Sequence, residues 1–291
     1  PGTTAPRFSA SMGPAPVTAS ILAIGELAPG RITLELRAPT LIAGLRPGHA
    51  LHLVRAEAGG YRLRRVAPVT KVDPLRGSVE VALQPRIDGG RDSLAESRVG
   101  EPLTVAGPIG RAIALDAKGS NLLLVSDTEG FAWLRLLAIS AVSAGRSVVF
   151  IQEAQSAHEL APASLLPEQV ELVVATADGS LGHVGVASEV ISRYASWADE
   201  AFAAGSAARL AGAYDAAQQR RGADRVAATV AARGTSGARR GGWMRLLLTH
   251  EIGCGGGVCG GCTLPARSGD LRLCREGPAI PTSEFRSDGA S

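Results

Sequence analysis

The N-terminal part of the chain alternates between apolar and polar positions in short runs. Gly and Pro residues separate these runs, which include TASILAIGEL, RITLELRAP, HALHLVRA and SVEVALQPRI. A two-residue period is typical of strands with one buried face, and frequent Gly and Pro indicate tight turns between strands. About six such strands fit before residue 117, which predicts a small β-barrel over residues 17–116.

The pattern changes at residue 121. NLLLVS, SVVFIQ and VELVVATAD are nearly continuous apolar runs, and the helical stretches FAWLRLLAISAVSAG and GVASEVISRYASWA follow the first and third of them. Continuous apolar strands alternating with helices are typical of a parallel sheet covered on both faces. We therefore expect a doubly wound α/β domain over residues 117–234. The remaining segments are predicted as a flexible leader (1–16), a linker (235–242), a cysteine-bearing lobe (243–282) and a polar tail (283–291).

Composition excludes several classes of function. The net charge is +3 and only 4% of residues are aromatic, so the chain lacks the dense basic and aromatic stripe of a nucleic-acid interface. No apolar run reaches the length of a membrane span, because Arg135 interrupts FAWLRLLAISAV. The first 16 residues contain no apolar signal core, which favours a cytoplasmic location. In that reducing environment, clustered cysteines are more often metal ligands or redox groups than disulfides.

All four cysteines fall in one short region. Their spacing is Cys254-x4-Cys259-x2-Cys262-x11-Cys274, and the first three stand in the glycine-rich stretch CGGGVCGGC. A C-x4-C-x2-C start is the spacing of plant-type ferredoxins, in which four thiolates hold a [2Fe–2S] cluster. Glycine permits the positive φ angles and close backbone approach that a loop around a cluster needs, and bare N–H groups can donate to sulfur. We predict these four cysteines to be the ligands of one [2Fe–2S] cluster.

Other interpretations of the cysteines remain open. A structural zinc site also takes four cysteines, although it more commonly uses two C-x2-C pairs, and two disulfides would suit a secreted domain. The sequence offers no Ser/His/Asp arrangement and no Walker-type phosphate loop, and we assign no catalytic residue.

With the cysteine loop defined, further stretches resemble a known family. WMRLLLTHEIGCGGGVCGGC followed by LCREGPAI, together with LRPGHALHLV, VAGPIGRAI and ADGSLGHVG, resembles the electron-transfer subunit of class 1B dihydroorotate dehydrogenase. The resemblance runs from about residue 17 to residue 280 in the family's order. It implies a ferredoxin-reductase-like fold of flavin-type β-barrel, nucleotide-type α/β domain and [2Fe–2S] lobe. It also implies an electron-transfer subunit of an oxidoreductase, not its catalytic chain, in pyrimidine biosynthesis. The implied partner is an FMN-containing catalytic subunit that oxidises dihydroorotate, in a heterotetramer of two and two.

The resemblance also implies an FAD site, with departures from the family's motifs. The R-P-x-S motif corresponds to Arg65-Val66-Ala67-Pro68, which keeps an arginine able to pair with a pyrophosphate. The G-x-G-T motif corresponds to Gly90-Arg91-Asp92-Ser93, in which Ser93 keeps a hydroxyl and Asp92 adds a charge unfavourable to an anion. The flavin candidates are therefore Arg65, Gly90 and Ser93.

The nicotinamide segment departs further. The family's glycine-rich turn corresponds to residues 126–133, SDTEGFAW, where Asp127 and Glu129 oppose a pyrophosphate at the helix N-terminus. We expect Asp127 or Thr128 to act as the N-cap of the following helix, and NAD(H) binding to be weakened or lost. The alternative function is a degenerate structural or docking subunit that keeps the cluster but binds neither FAD nor NAD.

Overall fold

A computed structural model describes residues 16–56, 62–83, 94–206, 209–213, 215–219, 243–248 and 252–285. The predicted linker, the predicted leader except for residue 16 and the predicted tail after residue 285 lie outside these ranges.

The N-terminal part of the described chain forms a closed antiparallel barrel of six strands, as the alternating pattern predicts. The strands are β1 (Val17–Ala28), β2 (Arg31–Arg37), β3 (Ala50–Ala56), β4 (Arg62–Asp73), β5 (Ser78–Ala82) and β6 (Pro102–Ile109), and the short helix α1 (Pro39–Ile42) follows β2. Their order around the barrel is β1-β2-β5-β4-β3-β6. Alternation places one set of side chains inside, and Leu34, Leu36, Leu51, Leu53 and Val105 are fully buried there.

The second part is a seven-stranded sheet in the described residues. Its strands are β7 (Asn121–Ser126), β8 (Ser147–Ala154), β9 (Val170–Thr176), β10 (His183–Val184), β11 (Glu200–Gly205), β12 (Met244–Leu248) and, after the hairpin β13 (Thr263–Ala266) and β14 (Gly269–Arg272), β15 (Ala279–Pro281). Their order in the sheet is β10-β9-β8-β7-β11-β12-β15. All neighbouring pairs are parallel except β12 with β15, and β7, β8 and β11 are buried along almost their whole length. This confirms the α/β architecture predicted from the continuous apolar runs.

Two strands that the sequence places in the cysteine lobe belong to this sheet. Strand β12 pairs with β11 on one side and β15 on the other, and its residues Met244, Leu246 and Leu247 are buried. The lobe boundaries at 243 and 282 remain predictions, but the cysteine region starts and ends inside the α/β sheet. It is an excursion from the sheet edge and not a separate unit at the end of the chain.

Helix α2 (Phe131–Ser143) joins the barrel to the sheet, and helix α3 (Ala187–Tyr194) packs on the sheet as well. The Arg135 guanidinium, nearly inaccessible to solvent, pairs with Glu80 of β5 and donates to the carbonyl of Leu165 at 2.9 Å. Leu136 packs into the barrel core, whereas Leu134 and Leu137 pack into the core under the sheet. The helix is therefore buried on opposite faces by two domains. No helix in the described ranges combines the length and apolarity that crossing a bilayer requires.

The start of α2 differs from the prediction. Gly130 is the N-cap, and neither Asp127 nor Thr128 occupies that position. A Cβ on residue 130 would overlap the carbonyl oxygen of Ala204 at the end of β11, so only glycine lets the turn lie against that strand. Asp127 nevertheless accepts the N–H of Gly130 at 2.8 Å, which is the hydrogen bond to the third residue onward that a capping side chain makes. The Asp127 carbonyl also accepts the N–H of Phe131 at 3.2 Å.

This close approach predicts the effect of adding one methyl group. Gly130→Ala should lower the free energy of unfolding by about 1–3 kcal/mol because two backbone segments must separate. Urea denaturation measures the change. Gly44→Ala is the matched control, since its Cβ would have no neighbour nearer than 3.7 Å. Equal stability of the Gly130 and Gly44 variants would contradict the packing described here.

Candidate functional site

The hairpin β13–β14 explains the long gap between the last two cysteines. Cys262 precedes β13 and Cys274 follows β14, while Thr263 pairs with Arg272 across the hairpin. The hairpin therefore returns the chain to its starting point: the N–H of Leu273 donates to the carbonyl of Cys262 at 3.0 Å, and the N–H of Cys274 lies 3.5 Å from the Cys262 sulfur. The eleven intervening residues fold into two short strands and one turn, and the two thiols meet at the open end of this hairpin.

The four thiols differ in exposure and fall into two pairs. Cys262 and Cys274 are 2% and 3% exposed, Cys254 is half-buried and Cys259 is exposed, and none of them forms a disulfide. The Cys254 and Cys259 side chains contact each other, as do those of Cys262 and Cys274. One pair thus faces the protein interior and the other faces the surface.

The glycine loop has the backbone that the sequence predicts. Gly255, Gly257 and Gly260 adopt φ angles of 65°, 76° and 71°, a region that other residues enter only at a cost. These turns direct N–H groups at sulfur: Gly256 donates to the Cys254 sulfur and Gly261 to the Cys259 sulfur, each at 3.4 Å. Such donors stabilise negative charge on the thiolates.

One thiol of each pair has a shifted pKa, and the two shifts are opposite. Burial disfavours ionisation of Cys254, but hydrogen bonds from the N–H groups of Cys259, Val258 and Gly256 outweigh it and lower the pKa of this thiol to about 6. Burial, followed by the adjoining Cys262 sulfur, raises the pKa of Cys274 to about 12. A bound metal deprotonates a coordinating thiol outright, so Cys274 needs a metal to be anionic at neutral pH, whereas Cys254 does not.

The pairing of the thiols is the arrangement that a two-iron cluster requires. A mononuclear zinc site needs four ligands at the corners of one tetrahedron, whereas a [2Fe–2S] cluster takes two thiolates on each of two irons. Two separate thiol pairs match the second requirement.

Backbone contacts attach the lobe to the end of the barrel. The N–H of Gly110, just after β6, donates to the Cys274 carbonyl at 3.1 Å, and that of Arg111 donates to the Gly277 carbonyl at 2.7 Å. A Cβ on Gly255 would come within 2.7 Å of the Ile109 side chain. The cysteine loop therefore lies directly on the last barrel strand.

The predicted flavin residues are only partly described. Arg65 lies on β4, half-buried, opposite Leu53 of β3. Gly90 and Ser93 lie outside the described residues, as does Asp92. Of the three candidates, Arg65 alone is among the residues that the structure describes.

The nicotinamide segment of the sequence, residues 126–133, starts at the edge of the sheet where β7, β8 and β11 end. We call this edge the nucleotide crevice. A cavity of about 110 Å³ occupies this edge, and its lining includes Ser126, Asp127, Glu153 and Arg209. The sequence did not indicate Glu153 or Arg209, because neither stands in a motif and only the parallel sheet brings them beside Asp127.

Comparison with known proteins supports the interpretation of the lobe. Residues 250–286 match the family model of the iron–sulfur cluster binding domain of dihydroorotate dehydrogenase B. The match covers all four cysteines, and it supports a [2Fe–2S] cluster over the zinc and disulfide alternatives.

Similarity to curated proteins extends over most of the chain. The electron transfer subunit of dihydroorotate dehydrogenase B (NAD(+)) from Desulforamulus reducens is 25% identical over 272 residues, 91% of this chain and 95% of that protein. The subunit of the same name from Shouchella clausii is 26% identical over 246 residues, 82% of this chain and 86% of the relative.

The fold has a counterpart of similar extent among solved structures. The structure of an NADH-dependent reduced ferredoxin-NADP oxidoreductase superposes with a TM-score of 0.74 at 20% identity, covering 96% of this chain and 93% of that one. A ferredoxin NADP+ reductase from Neisseria gonorrhoeae superposes with a TM-score of 0.57 at 14% identity, covering 79% and 97%. The resemblance drawn from the sequence is therefore confirmed: this chain is similar over most of its length to electron transfer subunits of dihydroorotate dehydrogenase B, and it has the ferredoxin-reductase-like fold.

Proposed function

We propose that the chain is the iron–sulfur electron-transfer subunit of a dihydroorotate dehydrogenase-like complex of pyrimidine biosynthesis. Cys254, Cys259, Cys262 and Cys274 are the ligands of one [2Fe–2S] cluster. The observation that carries this proposal is the sorting of the four thiols into an inner and an outer pair beneath glycine N–H groups. The curated relatives are electron transfer subunits, which supports the same role.

The chain's own residues define the environment of the cluster. When bound, a [2Fe–2S] cluster accepts and releases one electron at a time, which lets it divide the electron pair of a flavin. The N–H groups of Gly256 and Gly261 stabilise the added negative charge at sulfur, and burial of Cys262 and Cys274 keeps water from the inner thiolates. The protein thereby sets position and potential and performs no acid–base chemistry.

The lobe's position suits transfer between the barrel and a partner. Its inner side is bonded to the end of β6 through Gly110 and Arg111, and its outer side presents Cys259 and the 86% exposed Val258 to solvent. We infer that the outer side docks on a catalytic subunit that carries FMN and oxidises dihydroorotate, in a heterotetramer of two and two in the cytoplasm. Support comes from the role named for the relatives and from this exposed apolar tip.

We also propose that FAD binds at the barrel. Arg65 would pair with its pyrophosphate, and Gly90 and Ser93 would supply further contacts. A second candidate function, a docking subunit that keeps the cluster without FAD or NAD, is favoured by the carboxylates at the nucleotide crevice. Quantifying FAD and FMN extracted from the purified complex separates the two, since the second candidate contains FMN alone.

Removing the most exposed ligand tests the cluster. Cys259→Ser should abolish the visible absorbance of the cluster, while that of bound flavin remains, and reduce iron and acid-labile sulfide to background, because one iron loses a thiolate. The barrel and sheet should remain folded, as judged by circular dichroism. Val258→Ser, which introduces the same side chain one position earlier, is the control and should keep its iron. Unchanged iron content and spectrum in Cys259→Ser would contradict the proposal, and zinc without sulfide in the unaltered protein would replace it with a zinc site.

Two neighbouring glycines test the loop conformation. Gly257→Ala requires a positive φ that costs about 1–2 kcal/mol, and its Cβ would overlap the Arg275 side chain. The variant should bind less iron and lose it faster to a chelator. Gly256→Ala keeps the N–H that donates to Cys254, and its nearest neighbour would lie 4.0 Å away, so it should resemble the unaltered protein. Equal chelation rates for the two variants would exclude this backbone requirement.

A further inference from the structure

The strand order reverses at the C-terminal ends of β7 and β11. From β7 the chain continues to β8 and β9 on one side, and it then crosses to β11 and β12 on the other. In open α/β sheets, a ligand binds at this reversal, and a dinucleotide places its pyrophosphate at the N-terminus of the helix that follows the first strand. In this chain that helix is α2.

The carboxylate of Asp127 already occupies the N–H groups at this place. One oxygen accepts the N–H of Gly130 at the start of α2, and the other accepts the N–H of Ser206 just after β11, each at 2.8 Å. These donors come from the two loops that face each other across the reversal. Because each N–H has an acceptor within the protein, a phosphate gains no hydrogen bond there without first displacing a charged side chain.

Beside the cavity at this edge, the same two loops approach each other closely. A Cβ on Gly205 would lie 2.6 Å from an Asp127 carboxylate oxygen, and a Cβ on Gly130 would overlap the carbonyl of Ala204. The backbone of Asp127 also donates to that carbonyl at 3.3 Å. The two strand ends are thus bonded together through Asp127, at the point where a bound pyrophosphate would separate them.

A second carboxylate occupies the N-terminus of the neighbouring helix, α3. Glu153, near the end of β8, is 4% exposed and accepts the N–H of Ala187, the first residue of α3, at 2.7 Å. Its other oxygen pairs with Arg209. Burial raises the pKa of Glu153, and the charge of Asp127 raises it too, whereas the Ala187 N–H and Arg209 lower it. This edge of the sheet therefore already holds the carboxylates of Asp127 and Glu153 beside the guanidinium of Arg209, and a dinucleotide would add further negative charge.

We propose that Asp127 is a specificity-determining residue. Its carboxylate occupies the place that the pyrophosphate of a dinucleotide would take. NAD(P)(H) does not fit this crevice, and electrons enter and leave the chain through bound flavin and through partner proteins. The inference does not depend on the cluster, since ligand binding alone tests it.

The test measures binding of NADH, and of ADP-ribose as a redox-inactive pyrophosphate probe, to the purified complex by isothermal titration calorimetry. The unaltered complex should bind both with dissociation constants on the order of 1 mM or weaker. Asp127→Gly, which removes the carboxylate and frees both N–H groups, should bind each ligand at least tenfold more tightly. Asp127→Asn retains the size of the side chain without its charge and should gain less.

The charge-matched control is Glu129→Gln, which removes one negative charge two residues away. It should gain markedly less affinity than Asp127→Gly. Micromolar binding by the unaltered complex, unchanged affinity in a folded Asp127→Gly complex, or an equal gain in Glu129→Gln would each overturn the proposal. If circular dichroism shows that Asp127→Gly is unfolded, Asp127→Asn decides: any gain above Glu129→Gln supports the proposal, and no gain overturns it.

Discussion

Two backbone hydrogen bonds, from Gly110 to Cys274 and from Arg111 to Gly277, fix the cysteine lobe on the barrel. Strand β15 fixes the following residues on the sheet by pairing with β12. The segment that carries the fourth cysteine is therefore bonded to both domains within a few residues. The spacing of the four thiols depends on this double attachment, because a loop as rich in glycine as CGGGVCGGC has little conformational preference of its own.

The two functional regions differ in how they treat negative charge. In the cysteine loop, backbone N–H groups are left to face sulfur, where charge is added and removed. At the sheet edge, the corresponding N–H groups are satisfied by Asp127 and Glu153. Helix and loop N–H groups attract anions wherever they are unpaired. The anionic groups that this chain binds therefore depend largely on which backbone N–H groups have no acceptor within the protein.

The sequence predicts the parts of this molecule that follow local periodicity. Alternation defines the barrel strands, continuous apolar runs define β7, β8 and β9, and cysteine spacing identifies the lobe. The features that the sequence does not predict are those determined by residues distant in the chain. Residue 130 must be glycine because β11 approaches it, and the position of Glu153 matters only because the sheet brings Asp127 and Arg209 beside it. The sequence places β12 in the lobe because nothing in its five residues says which strand it joins. Helix α2 did carry a usable signal, since FAWLRLLAISAVS is apolar on all sides, and such helices are buried all round.

That helix has a consequence for motion. Related arrangements of two domains around a ligand commonly close by hinge rotation, which requires an interface that can open. Here Leu136 sits in one hydrophobic core while Leu134 and Leu137 sit in the other, and Arg135 is ion-paired across the boundary. Opening a hinge would withdraw apolar side chains from a core and leave a buried guanidinium without its ion pair, so rotation of the barrel against the sheet is costly. The shared helix therefore opposes such a rotation and helps to keep the barrel and the cysteine lobe in the relative position that their hydrogen bonds set.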